Sequence, residues 1–128
     1  MIALVATESG AFAVDLETEE VTAADPFEAE PAPSLNLPRV LAAAQAGSTV
    51  VVAVDARPPL LVSYDAGATW RESGRGLAPG VAVAVAASSP DVLVFATRNR
   101  LYVSRNGGVF WTALDLELPA IEALLVVE

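Results

Sequence analysis

The sequence contains no cysteine and no histidine, and these two absences exclude several kinds of site. Without cysteine the chain has no disulfide framework and no thiolate nucleophile. Without histidine it lacks the commonest general base and a frequent metal ligand. We therefore predict no metal site and no bound cofactor.

Positive charge and long apolar runs are also scarce. The seven basic residues are all arginine and face 16 acidic ones, for a net charge of −9. Nucleic-acid and anionic-membrane binding need basic surfaces, so neither partner is expected.

The longest apolar run, Val81–Ala87, falls far short of the roughly 20 residues of a bilayer span. Glu8 interrupts the first apolar stretch and the first arginine is Arg39, so we predict no signal peptide and a cytoplasmic location.

The chain has ample apolar residues in short segments, which predicts an all-β fold. Hydrophobic residues make up 54% of 128 residues, too many for a disordered chain. Each apolar segment ends at Gly, Pro, Asp, Asn or Ser, as strands do at turns. Leu41–Ala46 is rich in the helix former alanine, but its place in the repeat described below favours a strand. The predicted strands are Ile2–Thr7, Ala11–Leu16, Glu19–Ala24, Arg39–Gln45, Thr49–Asp55, Leu60–Tyr64, Thr69–Glu72, Val81–Ala87, Val92–Thr97, Arg100–Ser104, Val109–Ala113 and Ala120–Val127.

Two segments of the chain repeat each other, Leu61–Trp70 and Tyr102–Trp111, and the period from Ser63 to Ser104 is 41 residues. An Asp or Asn side chain at the turn can accept hydrogen bonds from backbone N–H groups. Glycine takes a positive φ at the least cost, and tryptophan anchors a turn to a neighbouring strand. We therefore assign structural roles to Ser63, Asp65, Gly67, Thr69, Trp70, Ser104, Asn106, Gly108 and Trp111.

The repeat resembles the Asp-box, or BNR repeat, of form Ser-x-Asp-x-Gly-x-Thr-Trp. The first copy matches completely, and the second has Asn106 in place of Asp and Phe110 in place of Thr. The Asp-box family includes sialidases, sortilin-type receptors, xyloglucan-active glycosidases and photosystem II assembly-factor-like proteins. The resemblance implies a β-propeller, with each box between the third and fourth strands of a blade.

The strand count and the position of the boxes predict three four-stranded blades in one half-propeller over residues 1–128. Two blades cover residues 39–72 and 81–113, and the third joins strand 120–127 to residues 2–24. Propellers have roughly 4–8 blades, so we predict a homodimer that closes a six-bladed ring. In that dimer Ala120–Val127 of each chain completes the N-terminal blade of the other. The alternatives are a fragment of a longer propeller, or ring closure with a different protein.

The favoured function is a non-catalytic binding or scaffold module. Arginine suits carboxylate or phosphate ligands, and the resemblance places five arginines on the channel-side loops. These candidate ligands of a small anion are Arg39, Arg57, Arg75, Arg98 and Arg100. Acidic residues share those loops, so ordinary mixed surface charge is the competing interpretation.

An enzyme is the second hypothesis, specifically a sialidase-like or other glycoside hydrolase. Sialidase-type propellers use a Tyr/Glu pair, but Tyr64 and Tyr102 fall on third strands, away from the channel. A paired-carboxylate site stays open, and no catalytic residue is assigned. In a third hypothesis the chain is an assembly subunit in which the acidic segment Asp25–Pro38 docks a partner. We interpret that segment as a solvated connector, with a lid or a partner-binding loop as the alternative.

Overall fold

A computed structural model describes all residues from 1 to 128, and it confirms an all-β fold of twelve strands without helices. No helix long and apolar enough to cross a membrane is therefore present. The alanine-rich segment forms a strand, as predicted. Hydrogen bonding to the neighbouring strand outweighs the helix propensity of its alanines. The strands are β1 (Ile2–Thr7), β2 (Gly10–Asp15), β3 (Val21–Ala24), β4 (Val40–Ala46), β5 (Thr49–Val54), β6 (Leu60–Ser63), β7 (Arg71–Ser73), β8 (Ala82–Val85), β9 (Leu93–Ala96), β10 (Leu101–Ser104), β11 (Thr112–Ala113) and β12 (Ile121–Val127).

The strands form three four-stranded antiparallel sheets in a propeller-like arrangement. Sheet I has the order β12-β1-β2-β3, sheet II is β4-β5-β6-β7, and sheet III is β8-β9-β10-β11. Each sheet thus begins at a strand that pairs on one side only. We call these strands, β4, β8 and β12, the inner strands.

The last strand, β12, joins the two ends of the chain in one sheet. It pairs with β1, with Leu4 opposite Leu125, and the exchange of β12 between two copies stays a prediction. The connection before β12 is held by two backbone hydrogen bonds. The N–H of Leu118 donates to the carbonyl of Asn99 (2.9 Å), and the N–H of Ile121 donates to that of Arg98 (2.8 Å). These bonds hold the connection against sheet III, so β12 emerges beside sheet I of the same chain.

Sheet III lies between the other two sheets, because β8 contacts both β4 and β12. The sheet I–sheet III junction contains 16 buried apolar residues, and a second core of seven joins sheets II and III. Side chains alternate across a strand, so β8 divides its residues between the two cores. Ala82 and Ala84 face sheet I, and Val83 faces sheet II.

The outer faces of sheets I and II differ. On sheet II, Val50 and Val52 are buried beneath Leu35 and Leu37 of the chain between β3 and β4. On β1, Ala3 and Val5 pack toward sheet III, so the alternate residues Ile2, Leu4 and Ala6 point the other way and are half-buried. The outer face of sheet I is therefore apolar and less covered than that of sheet II.

Candidate functional site

The first repeat turn, Ser63–Trp70, is closed by the side chains of Ser63, Asp65 and Thr69. The Ser63 hydroxyl donates to Asp65 Oδ1 (2.7 Å) and accepts from the N–H of Gly67 (2.8 Å). Asp65 also accepts from the N–H (2.8 Å) and the hydroxyl (2.6 Å) of Thr69. The Thr69 hydroxyl, then the Ser63 hydroxyl and the Thr69 N–H, lower the pKa of Asp65 to about 2. This carboxylate therefore has a structural role, because its hydrogen bonds fix the conformation of the turn.

The second repeat turn, Ser104–Trp111, keeps most of the same hydrogen bonds. Ser104 Oγ donates to Asn106 Oδ1 (3.0 Å), and that oxygen also accepts from the N–H of Phe110 (3.0 Å). Phenylalanine has no hydroxyl to add the side-chain bond that Thr69 makes, and the Phe110 ring is 73% exposed. In both turns the glycine has a positive φ, +93° at Gly67 and +94° at Gly108, as predicted.

Each repeat turn also reaches the turn of the next sheet through the residue that follows its serine. Tyr64 donates its hydroxyl to the carbonyl of Gly107, which links sheet II to sheet III. Arg105 donates to the carbonyl of Leu16 (2.7 Å), which links sheet III to sheet I. Neither contact was expected from the sequence. Because both side chains complete the packing of neighbouring sheets, they are structural contacts rather than ligand contacts.

The two tryptophans occupy equivalent positions but meet different partners. Trp111 donates its Nε1–H to Ser73 Oγ (2.8 Å) on sheet II and lies edge-on to Phe95, with ring centroids 6.1 Å apart. Trp70 packs on the outer face of sheet II, where it joins Leu35 and Leu37. The connector residues thus cover sheet II where a preceding sheet would otherwise lie.

The five arginines proposed as anion ligands lie on exposed loops and do not form one cluster of contacts. Only Arg100 has an acidic partner, Glu117, at 3.2 Å and largely in solvent. The backbone of Arg98 holds the connection to β12, as described above. None of the five lines the cavity described next. Their role as anion ligands stays a prediction.

A concavity lies where the three inner strands meet. It has a volume of about 280 Å³ and is lined mostly by apolar residues. The connector segment 29–32 borders one side, and all four of its residues are exposed, in agreement with the interpretation of residues 25–38 as a solvated connector. The three polar side chains of the lining are Glu30, Gln45 and Glu122. We call this space the central cavity.

The central cavity faces the edges of the inner strands rather than their faces. Consecutive residues line it, 41–45 of β4, 81–85 at β8 and 122–125 of β12. A strand seen face-on presents every second residue, so an unbroken run is typical of a strand edge. The inner strands pair on one side only. Their other edges therefore offer backbone N–H and C=O groups to the cavity.

Sequence reasoning missed the cavity residues because none belongs to a recognisable motif. Glu30 lies in the acidic, proline-rich connector, and Glu122 is a lone acid inside an apolar strand. A charged residue interrupting an inner strand was the available signal. No group of three or more His, Cys, Asp or Glu side chains is placed to hold a metal ion.

Comparison with known proteins identifies no family for this chain. No protein-family model matches it, and no curated protein does. Among solved structures, it is similar to the GH74 enzyme from Niastella koreensis, with 21% sequence identity and a TM-score of 0.48. The match covers 90% of this chain and 18% of that enzyme, so the chain spans less than a fifth of its length.

Proposed function

We propose that this chain is a non-catalytic binding module of the Asp-box propeller type, whose small ligand occupies the central cavity. The observation that carries the proposal is the convergence of three inner strands and one connector around a single, mostly apolar space of about 280 Å³. Ligand sites are usually apolar concavities with a few polar groups, and this space has that composition. The hydrogen-bonded repeat turns, with their glycines at positive φ, support the Asp-box assignment.

The environment of the carboxyl groups in the central cavity argues against glycoside hydrolysis. Its two carboxyl groups, Glu30 and Glu122, are both exposed, whereas a general acid is commonly kept protonated by burial. Neither residue belongs to the ion pairs of the chain, which join Met1 to Glu17 and Arg100 to Glu117. No tyrosine, serine or threonine lines the space as a nucleophile. The carboxylate of Asp65 already accepts hydrogen bonds from Thr69 within the first repeat turn.

Two measurements separate binding from hydrolysis. A fragment library is screened by methyl NMR, and ligands of the cavity are expected to shift resonances of β4, β8 and β12 together. Chromogenic glycosides, including a sialoside, are incubated with the same sample, and no turnover is expected. Turnover abolished by Glu30→Gln or Glu122→Gln would refute the non-catalytic proposal. Binding confined to the exterior of the sheets would refute the cavity as the site.

Besides a small ligand, the proposal includes a second copy of the chain as a partner. The sheet I–sheet III junction has 16 buried apolar residues, and a six-bladed ring of two copies would have two further junctions of that kind. Those 16 residues come from both sheets, so two such junctions would take about 16 apolar residues from each chain, which together with their polar neighbours approaches the roughly 20–30 residues per side of stable interfaces. The outer face of sheet I, with Ile2, Leu4 and Ala6, would supply one side of each junction. The connector residues Leu35 and Leu37, packed on the outer face of sheet II, would form the other side.

Sedimentation velocity over a range of concentrations tests the second copy. A mass of two chains is expected for the wild type, and Leu4→Glu is expected to reduce it to one, because a charge would be buried without a partner. Ala113→Glu, on exposed β11, is the matched control and should leave the mass unchanged. A single-chain mass for well-folded wild-type protein would refute this part of the proposal.

A further inference from the structure

The charged groups of the central cavity are all of one sign. Glu30 and Glu122 are its charged lining residues, and no arginine belongs to the lining. The whole chain carries a net charge of −9, which adds a long-range field of the same sign. An anion would therefore be repelled from this space and a cation attracted to it. The cavity therefore favours a cationic ligand, whereas the arginine-rich loops suggest an anionic one.

The acidic side chains of the cavity favour a cation that donates hydrogen bonds. The free edges of the inner strands offer N–H and C=O groups alike, whereas the two carboxylates are acceptors only and the Gln45 amide adds a further acceptor oxygen. A primary ammonium group has three N–H donors and no acceptor, so it matches such a set. The cavity lining contains no aromatic ring. It therefore lacks the aromatic faces with which proteins bind quaternary ammonium groups.

The size and apolar lining of the cavity limit the rest of the ligand. An apolar cavity of about 150 Å³ holds a benzene molecule. The central cavity, at about 280 Å³, has room for a six-membered ring or a short alkyl chain together with an ammonium group. The alanine and valine residues of the inner strands would contact that apolar part.

We infer that the central cavity binds a small primary alkylammonium ligand, with the ammonium group at Glu30 and Glu122 and the apolar part between the inner strands. The inference rests on the proposed binding function and adds the chemical class of its ligand. Nothing in it requires the five exposed arginines.

Four compounds of one shape test the inference by calorimetry at neutral pH and low salt. They are cyclohexylmethylamine, its N,N,N-trimethyl derivative, cyclohexylmethanol and cyclohexanecarboxylate. The primary amine should bind at least about tenfold more tightly than the alcohol, the effect of roughly one charge-assisted hydrogen bond. The trimethyl derivative should bind more weakly than the primary amine, and the carboxylate should not bind. Added salt should weaken amine binding.

Isosteric variants locate the charge effect. Glu30→Gln and Glu122→Gln should each weaken amine binding about three- to tenfold and leave alcohol binding unchanged, because only the charge is removed. Glu28→Gln is the matched control, since it lies on the same connector but outside the cavity lining. Both variants and the control should unfold at the wild-type temperature, since all three side chains are exposed.

The possible failures of the two proposals can be told apart. Equal binding of amine and alcohol would overturn the ammonium inference while leaving a ligand-binding cavity. Tight binding of the carboxylate would overturn it in the opposite direction, and so would amine binding that neither glutamine variant changes. Absence of binding by all four compounds would count against both the ammonium inference and the proposed use of the cavity.

Discussion

Ser73 joins sheet II to sheet III, and Ser73→Ala is the most direct test of how these sheets are held together. Its hydroxyl donates to the carbonyl of Gly108 and accepts the Nε1–H of Trp111 at 2.8 Å. The residue is 8% exposed, so water reaches this position poorly. Alanine at this position removes both hydrogen bonds and leaves the polar groups of Gly108 and Trp111 without that partner.

The two lost bonds set the size of the expected effect. Each hydrogen bond contributes about 1 kcal/mol net, so Ser73→Ala should lower the free energy of unfolding by about 2 kcal/mol. For a domain of this length that corresponds to a fall in Tm of roughly 8 °C. Urea unfolding followed by far-ultraviolet circular dichroism measures the first quantity, and a thermal scan measures the second. Ser88→Ala, at an exposed turn position, is the matched control and should change stability by less than about 0.5 kcal/mol.

A double-mutant cycle with Trp111→Phe isolates the bond between the two side chains. Phenylalanine keeps an aromatic ring beside Phe95 but has no N–H to donate. When residue 73 is alanine, Trp111→Phe should lower the free energy of unfolding by less than it does in the wild type. The double variant should therefore lose about 0.5–1 kcal/mol less than the sum of the two single variants. Strict additivity, or a Ser73→Ala variant as stable as the wild type, would refute the assigned contacts.

Three further perturbations test other parts of the structure. Gly80→Ala should destabilise the fold by about 3 kcal/mol or prevent folding, because the added Cβ would clash with the backbone carbonyl of Ala96 and with the Phe95 ring; urea unfolding measures this. Asp65→Asn should flatten the acid limb of a stability–pH curve. The wild type keeps the stabilising contribution of the Asp65 carboxylate above pH 3.8 and loses it as the pH falls through the folded pKa of about 2. Asn106→Asp should steepen the same limb. Arg100→Ala should change Tm by less than about 4 °C, because its ion pair with Glu117 is exposed.

The parts of the fold that sequence reasoning predicted are those fixed by neighbouring residues. Alternation of apolar residues and the turn residues that follow them determine where a strand begins and ends. The glycines of the repeat turns take a positive φ because the serine and aspartate side chains bond to backbone groups only a few positions away. Even Leu41–Ala46 was predictable as a strand, because the repeat placed it beside β5.

The contacts between sheets were not predictable, because they depend on how adjacent sheets are staggered. Tyr64 and Arg105 both follow the serine of a repeat turn, yet a phenol and a guanidinium share no pattern that indicates a common role. Their acceptors are backbone carbonyls, which every residue has. In the first sheet the aligned residue is Asp15, which accepts from the N–H groups of Glu17 and Thr18 instead. The Thr18 N–H, and then the Glu17 N–H, lower the pKa of Asp15, and as an anion it has no proton to donate to a further sheet.

The connector 25–38 shows what composition alone could not indicate. Its prolines and acids are typical of a solvated loop and most of its residues are exposed, but Leu35 and Leu37 are half-buried and pack on the outer face of sheet II. Sheets I and II are separated by sheet III, so the chain needs a long segment to pass from one to the other. Because that segment passes the inner strands, residues 29–32 also form a side of the central cavity. The same stretch of chain therefore covers the outer face of sheet II, which no other sheet of the chain contacts, and carries Glu30 to the cavity. Any ligand that binds there must contact the connector as well as the strands, so ligand binding should protect the backbone of residues 29–32 from proteolysis.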